Sequence, residues 1–428
     1  MNATKNAPKH APMSASESDP VRLQWMQGAP PPADRRVQLA DMSHFQFPRT
    51  RWTFANIRQL LPTTQVWRGP GPASALPDAP HRAERMAAID RVAYQPMTGG
   101  EPQTWLDSLD ANYTDAIVVL HQGRIVYEAY RGLMQPHRAH MAFSVTKSYT
   151  GTLAAMLVHE GRLDEQALVA QLIPELTGSA YGDATVRQVM DMQIGVAYSE
   201  DYTDPQAGIW EHARAGGTFP RPPGYAGAQN YFAYLQTLRK EGEHGQDFHY
   251  KTVNTDVLGW LLRRATGSSL GELLGQRLWQ PLGAEEDASL LVDTEGTEFA
   301  GGGLSATVRD LARFGECLRQ DGHFNGRQIV PQAVVDDIRS RGSVAAFKAK
   351  GPPTLPGGAY RNMWWLTNNP HGAYAARGIH GQAIYVDPTA QMTIARFASH
   401  PMAANVHIDP HTLPAFHALA KWLMVNAG

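Results

Sequence analysis

The sequence predicts an α/β protein, a sandwich assembled from both ends of the chain with a mostly helical subdomain inserted between its parts. Three observations carry this. DAIVVLHQGRIVYEAY, residues 115–130, is two apolar, β-branched runs around His121-Gln122-Gly123-Arg124, the pattern of a β-hairpin whose glycine supplies the positive φ of a tight turn. Residues 162–290 read mostly as helices broken by loops, among them EQALVAQLIPEL, YFAYLQTLRKEG, TDVLGWLLRRATG and SLGELLGQRLWQPLG. Strand patterns then return in RNMWWLTNN, HGQAIYVDP and QMTIARFAS, and LPAFHALAKWLMVN closes the chain as a helix. The expected division is an arm over 1–45, a sandwich over 46–161 and 291–428, and an α subdomain over 162–290.

Taken in order, the first 45 residues are rich in Ala, Pro, Ser and Asp, which favours an extended or disordered arm. Trp52, Phe54 and Trp67 mark a segment expected to lie down on a surface. After the hairpin, FSVTKSYTGTLAAMLVHEGRL places Leu153, Met156 and Leu157 at helical spacing, with Gly161 as its stop. The helix in GGGLSATVRDLARFGECLRQ follows three glycines and holds Cys317, the chain's one cysteine, read as a buried thiol without catalytic work.

With 43% hydrophobic and 18% charged residues in a chain of 428, there is enough core to wall a deep pocket. A net charge of -2 gives no electrostatic reason to expect nucleic acid or an anionic membrane as partner. The N-terminus has no apolar signal core, and no stretch approaches the roughly 20 apolar residues of a membrane helix. The expectation is a cytoplasmic protein acting on a small molecule, with self-association into a homodimer left open.

Several motifs compete for the chemistry. GSSLG, residues 267–271, matches the nucleophile elbow G-x-S-x-G, but that motif requires a strand before it, and here a helix precedes. Gly267 reads as a helix C-cap and Ser268 or Ser269 as the next N-cap. His244, Asp247 and His249, and the pair Glu211-His212, are conceivable metal ligands without any recognised ligand spacing, so no metal is expected.

Ser144 and Lys147, in AFSVTKSYTG, are the chain's one S-x-x-K pair. On a helix, positions i and i+3 share a face with Cβ atoms about 5–6 Å apart, so the amine can reach the hydroxyl. Lysine can serve as the base for a serine only if its pKa falls from about 10.4 toward neutrality, which burial and a helix N-terminus both promote. No acidic residue follows Lys147 in this helix until Glu160. The bland alternative is a capping serine and a lysine snorkelling to solvent.

Downstream, FHYKTVNTDVLGWLL sets Tyr250 just before an amphipathic helix. Ser144, Lys147 and then Tyr250 about a hundred residues later resemble the superfamily of class C β-lactamases, DD-peptidases and serine esterases. The resemblance implies a β-lactamase/DD-peptidase-like three-layer sandwich, an antiparallel sheet flanked by helices. It also implies that Tyr250 assists deprotonation of Ser144 and passes the proton on, with Thr252 standing in the Asn or Ser position of the family's Y-x-N or Y-x-S element. The family's K-T-G or H-T-G is missing; Ala376-Arg377-Gly378 takes its place at the start of the expected active-site strand. Loss of the usual cation there disfavours β-lactams and peptidoglycan peptides. The glycine lets a substrate carbonyl approach an edge strand, and the N–H groups of Ile379 and Ser144 can form an oxyanion hole. His380 is a candidate substrate contact.

RWTFANIRQLLPTTQVWRG, SVTKS, SEDYTDP, YKTVNTDVLGW and GIHGQAIYVDP together resemble the 6-aminohexanoate-dimer hydrolases, or nylon-oligomer hydrolases, and their carboxylesterase relatives, from about residue 45 onward. That likeness implies a serine hydrolase of carboxylic esters or small linear amides that needs no cofactor. It maps a substrate-closing tyrosine onto Tyr202. A β-lactamase or D-peptidase of the same fold, and a catalytically silent binder of peptides or cell-wall fragments, are the alternatives.

Overall fold

The structure, a computed structural model, describes residues 12–340 and 342–426. At its centre is a seven-stranded sheet whose neighbours all run antiparallel. Its strands are β1 (Thr114–His121), β2 (Arg124–Tyr130), β3 (Ala359–Arg361), β4 (Trp364–Leu366), β5 (Tyr374–Gly378), β6 (Gln382–Asp387) and β7 (Met392–Ala398). Their spatial order is β3-β4-β5-β6-β7-β1-β2. The pairing of β7 with β1, Met392 opposite His121, joins the two ends of the chain into one sheet. The β1–β2 turn holds both Gln122 (φ 51°) and Gly123 (φ 77°) in the left-handed region, whose twist matches that of the flanking strands.

All eight residues of β1 are buried because both faces of the sheet are covered, and a strand covered on both sides reads as a continuous apolar run. Val118 and Leu120 face a layer holding helices α1 (Val145–His159), α2 (Val253–Thr266) and α3 (Val308–Arg319). Ile117 and Val119 face the other layer, with Phe416, Leu419 and Leu423 of α4 (Asp409–Val425). A second, four-stranded sheet joins 63–66, 288–291, 304–306 and 140–141. Among the described residues, no helix is long and apolar enough to cross a membrane.

The expected arm over 1–45 needs correction where it is described; its first eleven residues lie outside the described ones. From Pro12 the chain runs through turns and short 3-10 helices, with Ser18, Val37, Ser43 and His44 buried. Arg51 clamps it, donating from Nη1 to Ser18 Oγ at 3.1 Å and from Nη2 to Asp115 Oδ1 at 2.8 Å. Proline and serine suppressed regular elements here without preventing packing. Trp52 and Phe54 are likewise buried, whereas Trp67 is exposed.

Candidate active site

The chain enters α1 through Phe143, whose φ of 46° is a conformation bulky residues rarely hold and which concentrates at functional sites. Ser144 follows at the helix start, with αR backbone, and its hydroxyl makes no capping bond, so the cap reading fails. From Val145 to Leu157 every residue of α1 is buried, which leaves Lys147 no route to solvent. Its Nζ donates to Ser144 Oγ at 2.9 Å and to the Gly301 carbonyl at 2.5 Å, and lies 5.2 Å from the Tyr250 ring centroid. Burial lowers the ammonium pKa to about 8, against the opposing pull of the Glu200 and Asp256 carboxylates. Both acids lie far from Lys147 in sequence.

Tyr250 is partly buried just ahead of α2, its ring against Trp365 at 5.1 Å and Tyr360 at 6.2 Å between centroids. Burial pushes its phenol pKa well above the usual value and Glu200 adds to this, while a hydrogen bond with Ser144 and the nearby Arg377 oppose it. Thr252, the N-cap of α2, is buried and its N–H donates to the Glu200 carboxylate. In the first turn of α2, Asp256 accepts the Gly301 N–H at 3.0 Å on Oδ1, and its Oδ2 lies 2.8 Å from Nε2 of the buried His212. A continuous line of polar groups thus runs His212, Asp256, Gly301, Lys147, Ser144. Sequence reasoning weighed His212 only as a metal ligand and missed Asp256 and Gly301; an aspartate in the first turn of a mostly buried helix was the available signal.

The opposite side is built by the end of β5. A Cβ on residue 378 would sit 2.6 Å from the Ala142 carbonyl oxygen, so only glycine lets this strand end approach the turn that carries Ser144. Ile379 then faces the same cavity as Ser144, and no backbone partner for either N–H is found among the described residues. Two expectations are corrected. Ala376-Arg377-Gly378 ends a strand rather than beginning one, and β5 lies between β4 and β6, not at an edge. At the position where the family's cation is missing, the Arg377 guanidinium donates to Asp409 and covers the Trp365 ring at 5.1 Å. His380 is buried with φ 61°, its Nδ1 donating to the His400 carbonyl at 2.7 Å and its ring against Phe54 and Phe143. Neither Gly378 nor His380 lines the cavity.

That cavity measures about 90 Å³, and Ser144, Tyr202, Thr252 and Ile379 all open onto it. Tyr202 stands edge-on to Trp210, ring centroids 6.0 Å apart. The competing motif is structural: Gly267 ends α2 at φ 74°, and Ser269 forms a capping box with Glu272. His244 is also occupied, its Nδ1 accepting the Gly195 N–H at 3.0 Å.

The sequence profile of the Beta-lactamase family matches residues 105–410, which span the sheet, α1, α2 and α3. The chain belongs to the β-lactamase family. Within it, this β-lactamase-family chain is 37% identical over 380 residues to a 6-aminohexanoate-dimer hydrolase of Paenarthrobacter ureafaciens, covering 89% of this chain and 91% of that one. A Bacillus anthracis protein provisionally named a 6-aminohexanoate-dimer hydrolase superposes with a TM-score of 0.82 and 31% identity, covering 92% of this chain and 99% of that one. A family VIII carboxylesterase shares the fold alone, at a TM-score of 0.55 and 17% identity over 81% of this chain and 98% of its own. The protein is a hydrolase of the β-lactamase-like serine hydrolase superfamily, with the mixed α/β, antiparallel-sheet architecture of that group.

Proposed function

We propose that the protein hydrolyses carboxylic esters, and unstrained linear amides more slowly, through an acyl-enzyme on Ser144. The observation that carries this reading is the buried Lys147 Nζ held 2.9 Å from Ser144 Oγ. Burial acts in opposite senses on the two candidate bases. It lowers the lysine toward about 8, so that a usable fraction is neutral amine, and it raises the tyrosine, which therefore stays a neutral phenol. Lys147 is accordingly the base and Tyr250 the proton donor.

Neutral Lys147 takes the Ser144 proton as Oγ attacks the carbonyl, and the N–H groups of Ser144 and Ile379 hold the resulting oxyanion, each worth about 10²–10³ in rate. Tyr250 protonates the departing alkoxide or amide nitrogen and is reprotonated from the Lys147 ammonium. Water then attacks the acyl-enzyme with the same groups as base, and Ser144 recovers its proton. Arg377, committed to Asp409, leaves no cation at the K-T-G position for a substrate carboxylate, which argues against a β-lactamase or D-peptidase.

Ser144→Ala is expected to abolish both turnover of p-nitrophenyl acetate and labelling by a fluorophosphonate probe; an alanine variant that keeps most of its activity would sink the assignment. Labelling without turnover of any ester would identify a silent binder instead. In the free enzyme kcat/KM should rise with pH through an apparent pKa near 8, as Lys147 loses its proton. A limb appearing only near that of free lysine would remove Lys147 as base.

A further inference from the structure

We propose that the cavity beside Ser144 is an acyl pocket for a short, uncharged aliphatic chain, and that it rejects acyl groups ending in an ammonium. The inference rests on reading Ser144 as the nucleophile, and it narrows that reading to a substrate class. Because the leaving group must be reached by Tyr250, which does not line the cavity, the cavity is left to the acyl side.

Its wall is almost entirely carbon. Leu61, Phe143, Leu291 and Phe299 close one side, and Ile209 and Phe219 close the other. Among the described residues, no Asp, Glu, Lys or Arg lines it. Its histidines add no free charge. Burial lowers the His44 pKa, which keeps the ring neutral, and its Nε2 donates to the Thr218 carbonyl at 3.3 Å. His212 turns its Nε2 toward Asp256. The neighbouring carboxylates stand outside the wall and are engaged, Asp256 by Gly301 and His212, Glu200 by the Thr252 N–H.

Beyond those engaged groups, the next charge lies past an aromatic partition. Phe45, Tyr202, Trp210 and Phe219 border both this cavity and a more open hollow that holds Arg214, whose guanidinium donates to Glu211 at 3.3 Å. Trp210 stacks on Phe219 at 5.2 Å, and Phe45, brought in by the N-terminal segment, meets Phe219 edge-on at 5.4 Å. An ammonium drawn inside would lose its water without gaining a counter-charge, a cost that normally excludes it. Size points the same way: an apolar cavity of roughly 150 Å³ accepts a benzene ring, and this one, at about 90 Å³, suits a chain of fewer atoms.

The test compares p-nitrophenyl butanoate with the p-nitrophenyl ester of 3-aminopropanoate, in which an ammonium replaces the terminal methyl, each corrected for its own hydroxide-catalysed rate. We expect kcat/KM for butanoate to exceed that for the amino ester by at least about 100-fold, consistent with burying an unpaired charge. Leu61→Ala, measured beside it, should raise the hexanoate-to-acetate ratio at least tenfold, a comparison within one preparation that does not depend on the fraction correctly folded. Equal use of the two esters, within tenfold, would overturn the pocket proposal while leaving Ser144 as nucleophile. Unimpaired butanoate hydrolysis by Ser144→Ala would overturn the nucleophile reading and this proposal with it.

Discussion

Ser144 and Lys147 were legible in the sequence because three-residue spacing on a helix is a local property, and the burial of α1 around them was legible from its apolar neighbours. The carboxylates that tune the pair were not, since Asp256 and Glu200 reach Lys147 only through the tertiary fold. Their effect sets a prediction. Lys147 faces Glu200, Asp256 and the Tyr250 ring, and both carboxylates favour its charged form. Asp256→Asn keeps an acceptor for the Gly301 N–H but deletes one negative charge. The rising limb of kcat/KM against pH should therefore move to lower pH, because neutral lysine becomes easier to form. His212→Gln, which retains the Asp256 charge, should move it less. A limb unchanged in Asp256→Asn would reduce Asp256 to a purely structural partner of Gly301.

Among the elements, the β1–β2 hairpin, α1 and the C-terminal strands could be read directly, since each declares itself by a period within its own residues. The four-stranded sheet could not: its strands are two to four residues long, and Thr63–Val66 pairs with Ala288–Leu291 across most of the chain. The position of α1 depends on another contact that sequence conceals. A Cβ on Gly151 would come 2.2 Å from the Asn362 carbonyl oxygen and 2.6 Å from Met363 Cβ, in the turn joining β3 to β4. That turn is held away from α1 by the Asn362 N–H donating to Asp191 at 3.0 Å, and against α1 by the Met363 carbonyl accepting from Ser148 at 2.7 Å. Neither side can yield without breaking a buried bond. Gly151→Ala should cost about 1–3 kcal/mol of stability, as overpacking does. Because the displaced helix carries both Ser144 and Lys147, kcat at 25 °C should fall further than the loss of folded protein explains. Thermal unfolding and active-site titration separate the two, and a variant with wild-type Tm would show that α1 has more room than its contacts suggest.

For the molecule as a whole, the fold class and the joining of both chain termini in one sheet followed from strand patterns at either end, whereas the packing of residues 12–45 onto the body rested on contacts such as Arg51 with Ser18 and Asp115. The site this body encloses weakens it. A lysine whose pKa falls from 10.5 to about 8 on folding binds its proton less tightly in the native state than in the unfolded chain. Below about 8 both states are protonated and the native state carries the whole cost, about 3 kcal/mol. Between about 8 and 10.5 the unfolded chain holds more protons, so this contribution turns in favour of the fold as pH rises. Lys147→Met keeps the volume and removes the charge, but at pH 7 it forfeits the ammonium's charge-assisted bonds to Ser144 and Gly301, about 1.5–3 kcal/mol each. The variant should be inactive and, at pH 7, melt at or a few degrees below the wild type, at roughly 1–2 °C per kcal/mol for a chain this long. The difference should widen by pH 10, since the wild type alone is relieved of its buried charge and every other titrating group is shared. A difference that stays the same from pH 7 to pH 10 would mean that Lys147 is not the strained, easily neutralised base inferred from its burial.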